Sequence, residues 1–188
     1  ILILDEPTAV LTPQESFALY EIMQRMADEK HSIIFITHKM KEVMALSHRI
    51  TVLSRGKVTA NLKKEDTDPE ALANLMIGSV ESDESRKVAE LLKETDLYKP
   101  MKNNTGNEEK KNKFGKLTVA LKDIHAVNDL GQPALKGISL DIYSGEILGM
   151  AGVSGNGQTE LADVLSGMRN PIHGSYQFEE MTLEKPTV

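Results

Sequence analysis

The chain has 188 residues, 40% of them hydrophobic and 27% charged, which is the balance of a water-exposed globular protein with room for one core or two partial ones. The net charge of −6 argues against a general nucleic-acid binder, which needs a basic face, and the absence of Cys excludes disulfides and thiolate metal sites. No apolar run approaches the roughly 18 residues of a membrane-spanning helix, and no leader peptide is visible.

Ile1 to Leu4 is a continuous apolar run ending in Asp5-Glu6, the pattern of a parallel strand buried on both faces. Thr12-Pro13-Gln14-Glu15 reads as a helix start, with Thr12 as N-cap, Pro13 in the first turn and Glu15 at the capping-box position. Phe17, Leu19, Ile22, Met23 and Met26 follow at helical spacing, so this helix is expected to reach about Glu29. Residues 32–37 form a second apolar, β-branched strand with His38 at its end. A short helix is predicted from Met40 to Leu46, and then two strands, Arg49 to Leu53 and Lys57 to Leu62, turn about Arg55-Gly56. Asp68-Pro69-Glu70 begins another helix, through Leu72, Leu75 and Met76, that stops at Gly78.

From Val80 to Lys116 the chain is densely charged with nearly balanced signs, and from Lys102 it is rich in Asn, Gly and Lys. Ser85 to Asp96 can form a short amphipathic helix, and the remainder reads as solvated linker. Beyond it, Leu117, Val119 and Leu121, and then Ile138, Leu140 and Ile142, alternate as in half-buried strands, with a turn from Asp129 to Pro133. Glu146 to Met150 is an apolar strand leading into a glycine loop, Thr159 to Met168 a helix, and His173 to Glu179 one more strand. No internal repeat is found.

Two segments carry chemistry. An acid at the C-terminal end of a parallel strand stands where α/β sheets bind ligands, so Asp5 is suited to hold a metal, usually through water. Glu6, one residue on, is a candidate general base for hydrolysis, and His38 ends the neighbouring strand within reach of the same edge. Taken singly, adjacent acids after a strand are often a solvated strand end, and a lone His is more often structural. The other segment, Gly152-Val153-Ser154-Gly155-Asn156-Gly157-Gln158-Thr159, fits G-x-x-x-x-G-K-S/T at every fixed position except Lys, which is Gln158. Glycines let backbone N–H groups converge on phosphate oxygens, and the following helix N-terminus favours an anion. Gln158 donates a hydrogen bond but brings no charge. Losing a charge-assisted contact costs about 1.5–3 kcal/mol, so this loop is expected to support hydrolysis poorly.

The order of the two segments is the informative point. Phosphate loops precede the acids in a single P-loop ATPase domain, and here they follow them. Asp5-Glu6-Pro7-Thr8, Ala9-Val10-Leu11-Thr12-Pro13-Gln14-Glu15 and Ile36-Thr37-His38-Lys39 together resemble an ATP-binding-cassette (ABC) ATPase. They match its Walker B strand, its D-loop and its switch histidine. The resemblance implies ATP and Mg²⁺ as ligands, with Asp5 and Thr159 toward the metal. It implies Glu6 as catalytic base and His38 as γ-phosphate sensor. Gly152, Ser154, Gly155, Asn156, Gly157, Gln158 and Thr159 would cradle phosphate. His125-Ala126-Val127 offers no aromatic for the adenine.

The resemblance thus divides the chain into two partial α/β domains of the P-loop type joined by a linker. Residues 1–79 would be the C-terminal part of one cassette, 80–116 the linker, and 117–188 the N-terminal part of a second cassette with a degenerate loop. A complete Walker B beside a Lys-less loop is similar to the twin-cassette ATPases of simple-sugar and nucleoside importers. Gly145-Glu146-Ile147-Leu148-Gly149 running into Gly155-Asn156-Gly157-Gln158 looks most like the nucleoside branch. Such proteins work at the cytoplasmic face of the cell membrane, with transmembrane permease subunits and a substrate-binding protein and with contact between cassettes. No nucleic acid is involved. A soluble twin-cassette protein of the ribosome is the competing reading, disfavoured by Ala9-Val10-Leu11-Thr12 and the nearly neutral linker. A non-hydrolysing nucleotide-binding remnant is the third. The first residue is not Met, which fits a piece of a longer protein. With neither core whole and both signature loops missing, the piece alone is expected to be inactive, and its independent folding doubtful.

Overall fold

The computed structural model describes residues 1–77, 114–179 and 181–184, so the anticipated helix over 85–96, the stop at Gly78 and most of the linker lie outside the described residues. The elements are β1 (Leu2–Asp5), α1 (Pro13–Asp28), β2 (Ile33–Thr37), α2 (Met40–Leu46), β3 (Arg49–Ser54) and β4 (Lys57–Lys63). A 3-10 turn (Lys64–Asp66) and α3 (Pro69–Ile77) follow, and then β5 (Leu117–Val127), β6 (Pro133–Tyr143), β7 (Ile147–Ala151), α4 (Gln158–Ser166), β8 (His173–Phe178) and β9 (Met181–Glu184).

Two sheets result. One has the order β1-β2-β7-β3-β4, with β1, β2, β7 and β3 mutually parallel and β4 returning antiparallel. The other is antiparallel, β6-β5-β8-β9. β7, from the second part of the chain, lies between β2 and β3 of the first. Its register pairs Ile33 with Ile147 and Thr37 with Ala151 on one side, and Arg49 with Leu148 on the other. Each part therefore contributes strands to one sheet, and residues of both parts share its core clusters. Ile34, Ile36 and Leu53 of the first part pack with Leu148, Met150, Leu121, Ile124, Ile138, Ile142 and Leu161 of the second. Shape-blind hydrophobicity explains the attraction. The parallel register is fixed because a one-residue slip would turn every side chain to the wrong face.

Polar contacts bind the parts as specifically. Arg49 Nε donates to Glu146 Oε1 at 2.7 Å, and a terminal nitrogen of Arg49 donates to Glu146 Oε2 at 3.2 Å and to the Asp141 carbonyl. The Glu146 side chain is fully buried and also accepts from Tyr143 N–H. Ile147 N–H donates to Nδ1 of His48, which must therefore be unprotonated there; burial foremost lowers the pKa of this histidine, in the direction that keeps it neutral. Ser32 and Thr118 share a buried hydroxyl hydrogen bond at 2.8 Å. Ser144 Oγ donates to the Lys30 carbonyl, and Phe114 lies between the rings of His48 and Tyr143.

Local signals account for most boundaries. Thr12 and Glu15 form the reciprocal capping box, with Pro13 opening α1. Asp68 Oδ1 accepts from the N–H groups of Glu70 and Ala71 at the start of α3. One expectation needs correction, and two further features are seen only in the fold. β1 is the edge strand of its sheet and only half-buried, because just β2 pairs with it. The inward face of α1 is Tyr20, Met23 and Ala27, at steps of three and four, whereas Phe17 and Ile22 are exposed. β9, only four residues long, carried no signal of its own.

Candidate nucleotide-binding edge

The parallel strands all end on one edge. β1 delivers Asp5 and Glu6 there, β2 delivers Thr37 and His38, and β7 delivers the loop from Gly152. His38 and Gly152, more than a hundred residues apart in sequence, are brought to one edge through β2, which pairs with both β1 and β7. This is the C-terminal edge at which open α/β sheets take ligands.

Asp5 is exposed at this edge, yet the protein packed behind it raises its pKa, with the neighbouring carboxylates Glu6 and Asp163 adding to the shift. Asp163 comes from α4, which packs across β1. Carboxylates so arranged favour a cation nearby, which would relieve their mutual repulsion. Among the described residues no group of three or more His, Cys, Asp or Glu is placed to hold a metal. Mg²⁺ does not need one, since it is usually bound through one or two carboxylates with phosphates and waters completing its octahedron. Asp5, and separately the exposed Thr159 on the first turn of α4, each offer an oxygen of the kind Mg²⁺ takes.

Glu6 has a left-handed backbone, φ 46°, and its N–H donates to the Ile36 carbonyl at 2.9 Å. That twist turns its side chain away from the direction of Asp5 and toward β2. Its Oε1 accepts from the backbone N–H of His38 at 3.0 Å and lies 2.7 Å from His38 Nδ1. Thr37 Oγ1 donates to Oε2 at 3.4 Å. The base candidate and the histidine are thus one hydrogen-bonded unit, with the imidazole half-exposed. With Nδ1 hydrogen-bonded to Glu6, the tautomer of His38 is set by that partner, leaving Nε2 as its second polar atom.

Below the acids a small network was invisible in the sequence. The buried Thr8 donates to the Glu42 carboxylate at 2.8 Å, and Lys39 Nζ reaches Glu42, the Thr8 carbonyl and the Thr8 hydroxyl. It ties the turn after Glu6 to the start of α2. No local spacing signals its links to Thr8, because those partners are 31 to 34 residues apart.

The glycine loop bends through Gly155 at φ 85° and Gly157 at φ 101°, both in the region that side chains disfavour. It is braced from outside by the β3–β4 turn. Asn156 Oδ1 accepts from Arg55 N–H at 2.8 Å, and the Asn156 carbonyl accepts from Gly56 N–H at 3.0 Å. Gly56 in turn touches β6: its carbonyl accepts from Lys136 N–H, and an added Cβ would stand 2.0 Å from the Ala134 carbonyl oxygen. Inside the loop, Gln158 is buried. Its Oε1 accepts from Asn156 N–H at 3.1 Å and its Nε2 donates to the Val153 carbonyl at 3.0 Å. Ser154 and Gly155 are exposed at the tip.

Residues 135–187 match the family model described as ABC transporter. The chain is 37% identical over 188 residues to the nucleoside import ATP-binding protein NupA of Lactococcus lactis subsp. cremoris, an alignment covering 99% of this chain and 33% of that protein. It is 38% identical over 174 residues to the glucose import ATP-binding protein TsgD13 of Haloferax volcanii, covering 93% of this chain and 28% of that protein. With the ribose import ATP-binding protein RbsA of Yersinia pestis it shares 32% over 183 residues, covering 97% of this chain and 31% of the relative. The chain belongs to the ABC-transporter ATPases. It spans about a third of the length of the curated relatives it matches. Those alignments run through both parts of the chain, so the acids-first order is shared with proteins three times as long. An ABC ATPase is a P-loop α/β protein, as the parallel sheet and glycine loop of this chain are.

Proposed function

We propose that this chain is the middle of a twin-cassette ATPase that energises import of nucleosides or simple sugars, with nucleosides first on the Gly155-Asn156-Gly157-Gln158 sequence. Residues 1–79 close the first cassette, residues 80–116 link, and residues 117–188 open the second. The observation that carries this reading is the acids-first order, held across nearly the whole chain in alignments with import ATP-binding proteins about three times as long. An acid pair and switch histidine converge with a phosphate loop, in a chain whose relatives bear import ATP-binding names across nearly its whole length. In the isolated chain, β7 fills the slot that the first cassette's own loop strand takes in the whole protein.

In that protein ATP binds with Mg²⁺, which supplies charge neutralisation along the phosphates. Asp5 and the hydroxyl of Thr159 hold the metal in their respective sites. Glu6 accepts a proton from the attacking water, and His38, hydrogen-bonded to Glu6, orients the carboxylate and senses the terminal phosphate. The Gly152–Thr159 backbone cradles phosphate in the second site, where Gln158 replaces the usual cation and makes that site the slow one. Closing on ATP and reopening after hydrolysis shifts the attached permease subunits between two states. The protein sits at the cytoplasmic face of the membrane; no helix among the described residues is long and apolar enough to cross one.

The test is ATPase activity of the whole protein reconstituted with its permease subunits and binding protein. Stimulation by nucleosides is the expected result, and stimulation by sugars alone moves the assignment to that branch. Turnover that no permease or substrate alters would overturn the transport reading in favour of a soluble role.

A further inference from the structure

We propose that the Gln158 side chain is an internal stand-in for phosphate that the incoming nucleotide must displace. The inference rests on the nucleotide reading of the loop. In a phosphate cradle, backbone N–H groups are the ligand's donors, and a buried donor left without an acceptor is costly. Here Asn156 N–H already has acceptors, because Gln158 Oε1 sits 3.1 Å away and the Val153 carbonyl 3.2 Å away. The other end of the same amide is also held, with Nε2 donating to the Val153 carbonyl at 3.0 Å.

The loop is shaped around this side chain. A Cβ on Gly152 would stand 2.3 Å from Gln158 Nε2 and 2.9 Å from the Leu53 carbonyl oxygen, so glycine there makes room for the amide. Gln158 is buried while its neighbour Thr159 is exposed. A long polar side chain at the first position of a helix ordinarily extends into solvent. This one folds back across the loop instead and closes a ring through Asn156 and Val153. The Asn156 N–H is therefore satisfied from within the loop.

This reverses the sign of the obvious mutational expectation. If Gln158 served as a neutral donor to phosphate, removing its amide would weaken binding. As an occupant of the cradle, its removal strengthens binding. The informative variant is Gln158→Met, which keeps length and packing but offers neither the acceptor nor the donor. Titration calorimetry of the 188-residue chain with Mg-ATP is expected to show on the order of fivefold tighter binding for Gln158→Met, the equivalent of one net hydrogen bond no longer broken. Gln158→Glu keeps an acceptor oxygen and adds a negative charge, and is expected to bind more weakly than the parent.

A second readout is independent of ligand. Hydrogen exchange at the Asn156 amide is expected to be faster in Gln158→Met than in the parent, both without ligand, because only the Val153 carbonyl remains as acceptor, while global unfolding in urea stays cooperative in both. Weaker Mg-ATP binding by Gln158→Met, with the fold intact, overturns the inference and leaves the nucleotide reading standing. Absence of binding by parent and variants alike overturns both.

Discussion

Replacing Glu6 by Gln in the whole protein is expected to abolish ATP turnover while ATP still binds. The structure explains why the loss falls on chemistry. Glu6 is held by the backbone N–H and the imidazole of His38 on one oxygen and by Thr37 on the other. An amide of the same shape keeps a hydrogen-bonding side chain in place but has no basic oxygen to take a proton from water. General-base catalysis contributes typically about a hundred- to ten-thousandfold, and the turnover number should fall by that order. Gln158→Ala should cost far less, because the loop it occupies serves the slower of the two sites. Steady-state hydrolysis and nucleotide binding measured on both variants decide the matter. Equal losses from the two substitutions would contradict the assignment of the competent site to Glu6.

The largest effect on stability is expected from Arg49→Ala. It removes the partner of Glu146, a carboxylate whose side chain is fully buried between β3 and β7 and retains only the Tyr143 N–H. Breaking a buried ion pair from one side is destabilising by about 3–5 kcal/mol, because the remaining charge is stranded away from water. That is a large share of the roughly 5–15 kcal/mol that holds most domains together. A double variant, Arg49→Met with Glu146→Leu, removes both charges and should recover most of the loss. Urea unfolding of parent, single and double variants measures the three values. A single variant as stable as the parent would show that the two parts of the chain are not joined through β7.

The sequence made local features legible and left non-local ones hidden, for physical reasons that individual residues illustrate. The capping box of Thr12 and Glu15, the Arg55-Gly56 turn and the strand before Gly152 each depend on a few adjacent residues, and each lies where it was expected. Hydrophobicity alone failed at β1, since Ile1 to Leu4 reads the same on an edge as in a sheet interior. Phe17 and Ile22 are exposed, since helical spacing alone does not say which face of α1 is inward. The insertion of β7 between β2 and β3 could not be read at all. It pairs residues about a hundred positions apart, and neither partner carries a mark of the other.

The site divides in the same way. Asp5, Glu6, His38 and Gly152 to Thr159 were found as motifs, and the structure sets them along one edge. The bond between Glu6 and His38, the Thr8–Glu42–Lys39 brace and the folding of Gln158 into its own loop emerged only from coordinates. Once the parts share a sheet, the core is drawn from both.

The most direct test of that shared edge is a hydrogen-exchange footprint of the 188-residue chain with and without Mg²⁺ and a non-hydrolysable ATP analogue. Protection should appear along residues 152–160 and residues 5–8 and 36–39 together, rising on a single saturation curve. Protection confined to one of the two segments, or separate curves for each, would contradict the edge that the two parts share in this chain.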